Sequence, residues 1–271
     1  MKKLYEEEDI RGIAEAIREK NGTTTQYKVS EMKPAILAIP SGASEPYIEE
    51  TSDSKGSLID VNLVGYTKIR AYAFQGCASL ALTSLPSGIT SIGQSAFGNC
   101  TNLALASLPS GLTNIGMLAF SKCTSLALTS LPSGITSIGT NAFNSCANLA
   151  LISLPSGLTS IGDGTFYNCT SLALTSLPSG ITSIGANAFR KCSKLALTSL
   201  PSGLTSIGID AFRDCPGLTS ITFQGKPNSL SSTAFKGCAN LKTINVPWAE
   251  NEVANAPWGA TNATINYNYA G

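Results

Sequence analysis

Cysteine is the residue whose type and spacing first call for a chemical explanation. Cys77, Cys100, Cys123, Cys146, Cys169, Cys192, Cys215 and Cys238 recur every 23 residues, and the chain has no others. Three residues before each stands a phenylalanine: Phe74, Phe97, Phe120, Phe143, Phe166, Phe189, Phe212 and Phe235. An even number of thiols suggests disulfides, a metal site or a nucleophile. Structural zinc wants CxxC pairs or histidines, and the chain contains neither. Without histidine, Ser/His/Asp and Cys/His catalysis is ruled out as well. Disulfides between neighbouring rungs of a cysteine ladder are conceivable. Buried free thiols acting as small hydrophobes fit better. Phe and Cys at i and i+3 share one side of a helical turn, and the Ala-Phe before the Cys, in every coil but that of Cys169, marks that side as inward.

Residues that recur with one period must be carried by elements that recur with it. The segment from Leu85 to Ser107, LPSGITSIGQSAFGNCTNLALAS, returns from Leu108, Leu131, Leu154, Leu177 and Leu200. A fixed period between about 20 and 50 residues is the signature of a solenoid, each repeat one coil stacked on its neighbours. Eight coils at roughly 4.8 Å each make a rod about 40 Å long. In every coil LALTSLP reads as a strand and GITSIG as a second extended piece after the Pro-Ser-Gly corner. AF-x-x-C then reads as a short helical turn that brings the chain back. The expected fold is a repeat solenoid with parallel β-strands and short helical turns.

Before the coils, Ile10, Ile13, Ala14 and Ile17 fall at helical spacing within residues 8–20, and Asn21-Gly22 is a helix stop. A second short helix, capped near Ser30 or starting nearer Lys33 because of Pro34, carries Met32, Ile36 and Ile39. Two such short helices cannot make a stable core alone, so these six residues are the expected assembly face. Residues 40–46 read as a linker, and the Asp53-Ser54-Lys55-Gly56 turn, between extended stretches at 47–51 and 58–64, predicts a hairpin. The chain thus divides into a helical attachment or oligomerisation module (1–43), a linker and hairpin cap (44–62), the solenoid (63–245) and a C-terminal cap (246–271). Within the last, a helix over Ala249–Asn255, a strand near Thr264–Tyr267 and a lid formed by Trp248 and Trp258 are expected.

Composition narrows the function. The net charge is +1, and residues 71–208 carry only Lys122, Asp163, Arg190, Lys191 and Lys194. No basic stripe for nucleic acid results, no stretch approaches a membrane span, and acidic residues at 6–9 occupy the place of a signal peptide's apolar region. No phosphate-binding glycine loop is present, because the Pro-Ser-Gly corners are periodic and therefore architectural. Asp53 and Asp60 lack calcium-loop spacing. The triplets at Asn99, Asn168 and Asn262 match the glycosylation pattern by chance. Neither an enzyme nor a bound cofactor is expected. Differences between copies fall on the residues after SIG and beside the Cys. If one surface makes specific contacts, this stripe is the candidate: Met117, Leu118, Tyr167, Arg190, Lys191, Ile209, Asp210 and Arg213.

The pattern L-x-L-P-x-x-ITSIG-x-x-AF-x-x-C-x-x-L, over roughly residues 63–245, resembles the BspA-like class of leucine-rich repeats. That resemblance implies right-handed parallel-stranded coils. The class places apolar residues three, six and eight positions after the Cys, as in Leu218, Ile221 and Phe223; six coils here have leucine at three, five and eight, as in Leu80, Leu82 and Leu85. A shifted register or a bulge is expected there. Residues 4–42 resemble a helical module at the start of tail-associated proteins of phages and prophages of Gram-positive gut bacteria. VPWAENEVANAPWGATNATINY resembles the closing segment of leucine-rich-repeat proteins in that group. These resemblances imply a homo-oligomeric virion protein, assembled in the host cytoplasm. Residues 1–43 would join it to other virion proteins or to itself, and the rod would meet a bacterial surface protein or glycan. A bacterial cell-surface adhesin of the BspA-like kind and a passive spacer are the alternatives.

Overall fold

The computed structural model describes residues 63 and 65–270, together with the backbone of two strands at 50–52 and 58–61. The helices expected over 8–20 and around Met32, with the assembly face Ile10, Ile13, Ile17, Met32, Ile36 and Ile39, lie outside the described residues. β1 (Glu50–Ser52) pairs antiparallel with β2 (Leu58–Val61), Thr51 standing opposite Asp60.

The coils begin at β3 (Lys68–Ile69). The SI dipeptide of each later coil, NI in one of them, supplies β4 (Ser91–Ile92), β5 (Asn114–Ile115), β6 (Ser137–Ile138), β7 (Ser160–Ile161) and β8 (Ser183–Ile184). On the LALTS side of the following coil lies β9 (Ser199–Leu200), after which β10 (Ser206–Ile207), β11 (Ser220–Phe223), β12 (Ser229–Leu230), β13 (Thr243–Asn245) and β14 (Thr264–Asn266) complete the order. The SI strands pair in parallel, Ile92 with Ile115 and Ile184 with Ile207, in two ladders, β3-β4-β5-β6 and β7-β8-β10-β12. Period-two geometry turns each isoleucine into the core and each serine or asparagine outward. The threonine before the strand adds a second link. Its hydroxyl donates to the carbonyl of the threonine one coil earlier, at 3.1 Å from Thr90 to Thr67 and 2.8 Å from Thr205 to Thr182.

The glycine of SIG is fixed by distance between coils. A Cβ on Gly116 would stand 2.6 Å from the Gly93 carbonyl carbon, and one on Gly208 would stand 2.6 Å from the Ala186 nitrogen. No side chain fits between backbones that close.

Two expectations about local structure are corrected. The LALTSLP segments of the first five coils are not strands. Burial of Leu103 and Leu105 leaves Ala106 and Ser107 both facing out, and two consecutive outward residues break the alternation a strand requires. The inter-coil backbone bond nevertheless persists, for example from Ala104 N–H to Leu82 C=O at 3.2 Å. Where Ile221 and Phe223 restore alternation, the four-strand ladder β14-β13-β11-β9 forms. Second, AF-x-x-C makes turns and no helix. Residues five and one before the Cys are left-handed in most coils, as at Ser95 (φ 50) and Asn99 (φ 63). This lets the N–H groups of Ser95, Phe97 and Asn99 reach forward to the carbonyls of Met117, Ala119 and Ser121, at 2.8, 2.8 and 2.7 Å. An α-helical turn would direct those donors back into its own coil.

The eight phenylalanines stack in one column, neighbouring rings 5.2 to 5.7 Å apart and within 15° of parallel. Burying each ring is worth roughly 1.5–3 kcal/mol, with offset stacking adding about 0.5–1.5 kcal/mol per pair. At the C-terminal end Trp258 is fully buried, and its carbonyl accepts the Phe235 N–H at 2.9 Å in place of a further coil. Phe223, Trp248 and Trp258 pack edge-on or tilted with centroids 5.2 to 6.2 Å apart. β14 lies in the stretch expected to be a strand. The helix expected over Ala249–Asn255 is absent, because Asn251 (φ 68) and Asn255 (φ 66) are left-handed and a right-handed helix cannot pass through them.

Gly116→Ala should therefore destabilise the rod by about 1–3 kcal/mol in urea unfolding, as overpacking does. Ser110→Ala, on the exposed Pro-Ser-Gly corner of the same coil, should be neutral within about 0.5 kcal/mol. Equal midpoints for the two variants would show that coil spacing tolerates a methyl group.

Candidate interaction surface

The cysteine ladder, the feature with the most chemical promise in the sequence, is closed to solvent. Cys100 through Cys238 are buried free thiols, and Cys77 at the first coil is half-buried. Each buried thiol donates to the backbone carbonyl of the phenylalanine one coil earlier, Cys100 to Phe74 at 2.9 Å and Cys123 to Phe97 at 3.0 Å. The same Phe97 carbonyl also accepts the N–H of Cys100 at 3.0 Å. The carbonyls of Phe74, Phe97, Phe120, Phe143, Phe166 and Phe189 are all satisfied twice in this way, and the thiol's role is that of a small buried donor. Burial pushes the Cys123 thiol from its ordinary 9.0 up to about 12, and the Cys238 thiol up to about 11. The thiolate is the reactive form of cysteine, so these sites are inert near neutral pH.

What remains exposed and varied is the outside of the turns. Met117 and Ile209 occupy the same place in their coils, six residues before the Cys, and are 40% and 64% exposed. Leu118 is half-buried, in the left-handed position that follows. Asp210 occupies that same position but is 8% exposed, so it supports the stripe from beneath and does not belong to its outer face. Tyr167, Arg190 and Arg213 occupy one column, two residues before the Cys in consecutive coils, and are half-buried; Lys191 beside them is exposed. The stripe therefore comprises an apolar patch at Met117 and Leu118 and, two coils further on, an aromatic and charged patch.

The second patch is built by a rule visible in three coils. A residue five before the Cys, held left-handed, reaches the residue two before it: Asn144 Nδ2 donates to Asn141 Oδ1 at 2.9 Å, Arg190 Nη1 to Asn187 Oδ1 at 3.2 Å, and Arg213 Nη1 to Asp210 Oδ2 at 3.0 Å. Asp210 also lies 3.5 Å from Arg190 Nη1, bridging the two coils. Burial alone would raise the Asp210 carboxyl; hydrogen bonds from Thr233 and Arg213 and the nearby Arg190 charge outweigh it and hold the group below its ordinary value. The guanidinium of Arg190 lies over the Tyr167 ring, 5.9 Å from its centroid. The contacts of Asp210 with Arg190 and Thr233, and of Arg190 with Tyr167, join residues 20 to 23 apart, so only the stacked coil brings those together.

A shallow notch of about 430 Å³ between the 226–230 loop and residues 252–255 is crossed by the Lys226–Glu252 ion pair at 2.7 Å. Among the described residues no cluster of potential metal ligands occurs, and no helix is long and apolar enough to cross a membrane.

Parallel two-residue strands, inward leucine and isoleucine ladders and a 23-residue coil define a leucine-rich-repeat solenoid, a fold that typically serves as a non-catalytic interaction scaffold. The chain belongs to the BspA type leucine-rich repeat region family, whose model matches residues 67–196 and 166–256. Solved structures similar to it include a leucine-rich repeat protein of T. pallidum, 28% identical over 72% of this chain and 87% of that one, with a TM-score of 0.47. A leucine-rich repeat protein from Bacteroides ovatus is 20% identical over 83% of this chain and 76% of that one, TM-score 0.49. A leucine-rich cell surface protein from Faecalibacterium prausnitzii is 20% identical over 86% and 96%, TM-score 0.34. No curated protein matches the chain.

Two outcomes follow for the thiols. Native protein should take up thiol reagent at no more than Cys77, and at all eight cysteines in denaturant. Rapid labelling of most of them in the native state would contradict a buried ladder. Because folding raises these values, the folded rod keeps protons that the unfolded chain releases. Stability should then be full below about pH 9 and fall as pH rises toward about 12. A Cys123→Ala/Cys146→Ala double variant should show a shallower alkaline loss in unfolding titrations.

Proposed function

We propose that this protein is a non-enzymatic, tail-associated phage protein that displays its leucine-rich-repeat rod for contact with a bacterial surface. The observation that carries the interaction reading is the distribution of variation. Coils that repeat LPSG, TSIG and the Phe–Cys ladder almost letter for letter differ on the turn stripe, and the varied side chains there include Met117, Tyr167, Arg190, Lys191 and Ile209. Tyrosine, arginine and large apolar residues are the types that anchor protein contacts, and little else on the coils offers them. The virion assignment is supported by the likeness of residues 4–42 to tail-associated modules. On this reading residues 1–43 join other virion proteins or further copies of the chain through Ile10, Ile13 and Ile17. The hairpin at residues 50–61 caps the first coil, as Trp248 and Trp258 cap the last.

Membership of the BspA-type family favours a second reading, a bacterial cell-surface adhesin using the same stripe. Fractionation of the native source with an antibody against the repeats separates the two. Co-sedimentation with phage-sized particles is the expected result, and recovery in the cell envelope would replace the virion reading with the adhesin. In parallel, deleting residues 1–43 should leave a folded rod that no longer enters the native assembly; an assembly that persists would remove the attachment role from that module.

A further inference from the structure

We propose that the rod contains a hinge, placed between its fourth and fifth coils and set by Thr165. The fourth coil carries Ile138 and Cys146, the fifth Ile161 and Cys169. The hinge goes beyond the contact-stripe reading and does not depend on it.

Hydrogen bonding, spacing and burial all locate it. Among the described residues, the ladder of SI strands is interrupted between β6 and β7 alone. In the coils on either side, the glycine of SIG donates to the isoleucine one coil earlier, Gly139 to Ile115 and Gly185 to Ile161, both at 2.8 Å. Gly162 makes no such bond to Ile138. Thr182 links to the Thr159 carbonyl through its N–H at 2.9 Å and its hydroxyl at 3.1 Å, whereas Thr159 makes neither link to Thr136. The backbones also stand further apart here. A Cβ on Gly162 would lie 3.6 Å from the Cα of Thr140, against 2.7 Å for Gly139 and Met117 and 3.0 Å for Gly208 and Ala186. The gap is felt in the core: Ile138 is 9% exposed where Ile115 is 0% and Ile184 is 1%. The Phe143–Phe166 separation, 5.7 Å, is the largest in its column.

 The other sides of the same joint are closed. On the turn side the N–H groups of Asn141, Phe143 and Ser145 donate to the carbonyls of Asp163, Thr165 and Tyr167 at 2.9, 3.0 and 2.7 Å. On the leucine side Ser171 donates to Ala147 and Ala173 to Leu151, both at 3.1 Å. A joint bonded there and unbonded along its SI edge bends about the bonded sides. Thr165 supplies the wedge. Its place, four residues before the Cys, holds alanine in the other coils, as at Ala142 and Ala188. Thr165 is 1% exposed, and its hydroxyl donates to the Gly162 carbonyl at 2.9 Å. The extra hydroxyl and methyl therefore occupy core space beside the glycine that has to approach the fourth coil. In a close-packed interior such added volume is taken up by backbone displacement.

The stability of a solenoid is close to a sum of coil terms and nearest-neighbour interfaces, so its weakest interface decides where the stack parts. Missing inter-coil bonds along one edge make this joint the first to open. It stands between Met117 and Leu118 on one side and Tyr167, Arg190 and Arg213 on the other. Bending there changes the angle between the two patches while each half of the rod keeps its own stacking.

The test is amide hydrogen exchange on the full-length protein, read residue by residue by NMR, in buffer and then in rising urea below the unfolding transition. In buffer, Thr159 and Gly162 should exchange at least about tenfold faster than Thr182 and Gly185, their counterparts one coil on. In urea, the amides of the coils before the joint and those of the coils after it should merge into two separate opening isotherms that meet at this joint. Thr165→Ala, which restores the residue of the other coils, should slow exchange at Gly162 at least about tenfold and join the two blocks into one. The hinge is overturned if the parent protein opens as one block or parts at another joint, because an open but rigid seam would expose the two amides and do nothing more. It is overturned equally if Gly162 is as protected as Gly185, or if Thr165→Ala leaves the two blocks apart. The measurements on the parent protein need no variant, so they decide the matter even where the substitution impairs folding.

Discussion

Close approach of successive backbones is the constraint on which the rest of this rod depends. On one side of the coil the SIG glycine lets the chain pass so near its neighbour that a Cβ would overlap it. On the other side, left-handed residues aim three N–H groups per turn at the coil ahead. Nearly every polar backbone group must find its partner in another coil, since buried backbone groups left unpaired are costly. The thiols enter at this point. A phenylalanine carbonyl facing the core takes one bond from its own turn and a second from the cysteine of the next coil. Serine in that place would satisfy the carbonyl at a greater desolvation cost, and alanine would leave only the single bond.

The same constraint shapes the surface. Where neighbouring coils stand this close, like charges in one column would face each other at short range, and the coils carry serine, threonine and alanine instead. Threonine is useful because its hydroxyl turns back to the carbonyl one coil earlier. The exception is instructive. Arg190 and Arg213 do share a column, and they are tolerated because Asp210 lies between them and Asp214 lies beside their Nε groups. A charged patch in such a rod has to bring its own counter-charges, which is why it is compact and preoriented where it occurs.

Chemical reactivity and contact are thereby separated. The cysteines from Cys100 to Cys238, potentially the most reactive groups in the chain, are buried, and burial keeps them protonated, while the residues suited to recognition sit on the outside of the turns. The N-terminal half of the stripe is apolar at Met117 and Leu118, and the C-terminal half combines aromatic, aliphatic and guanidinium groups. A rod of this kind presents different chemistry at different heights while its core remains uniform.

The sequence by itself determined the coil. The 23-residue return of Phe, Cys, Ile and Leu is a long-range pattern that only stacking explains, and it identified the inward ladders residue by residue. It did not determine how each segment bends. LALTSLP has the composition of a strand, yet in the first five coils the spacing of its leucines turns two neighbouring residues outward and stops the ladder. AF-x-x-C has the spacing of a helical turn, yet its donors bond forward to the next coil. Nor did the sequence separate Asp210 from Arg213 within the variable stripe, one a buried support and the other a half-exposed fork. Those choices were left to the tertiary structure, because each depends on hydrogen bonds between residues about 23 positions apart, whose geometry exists only once the coils are stacked.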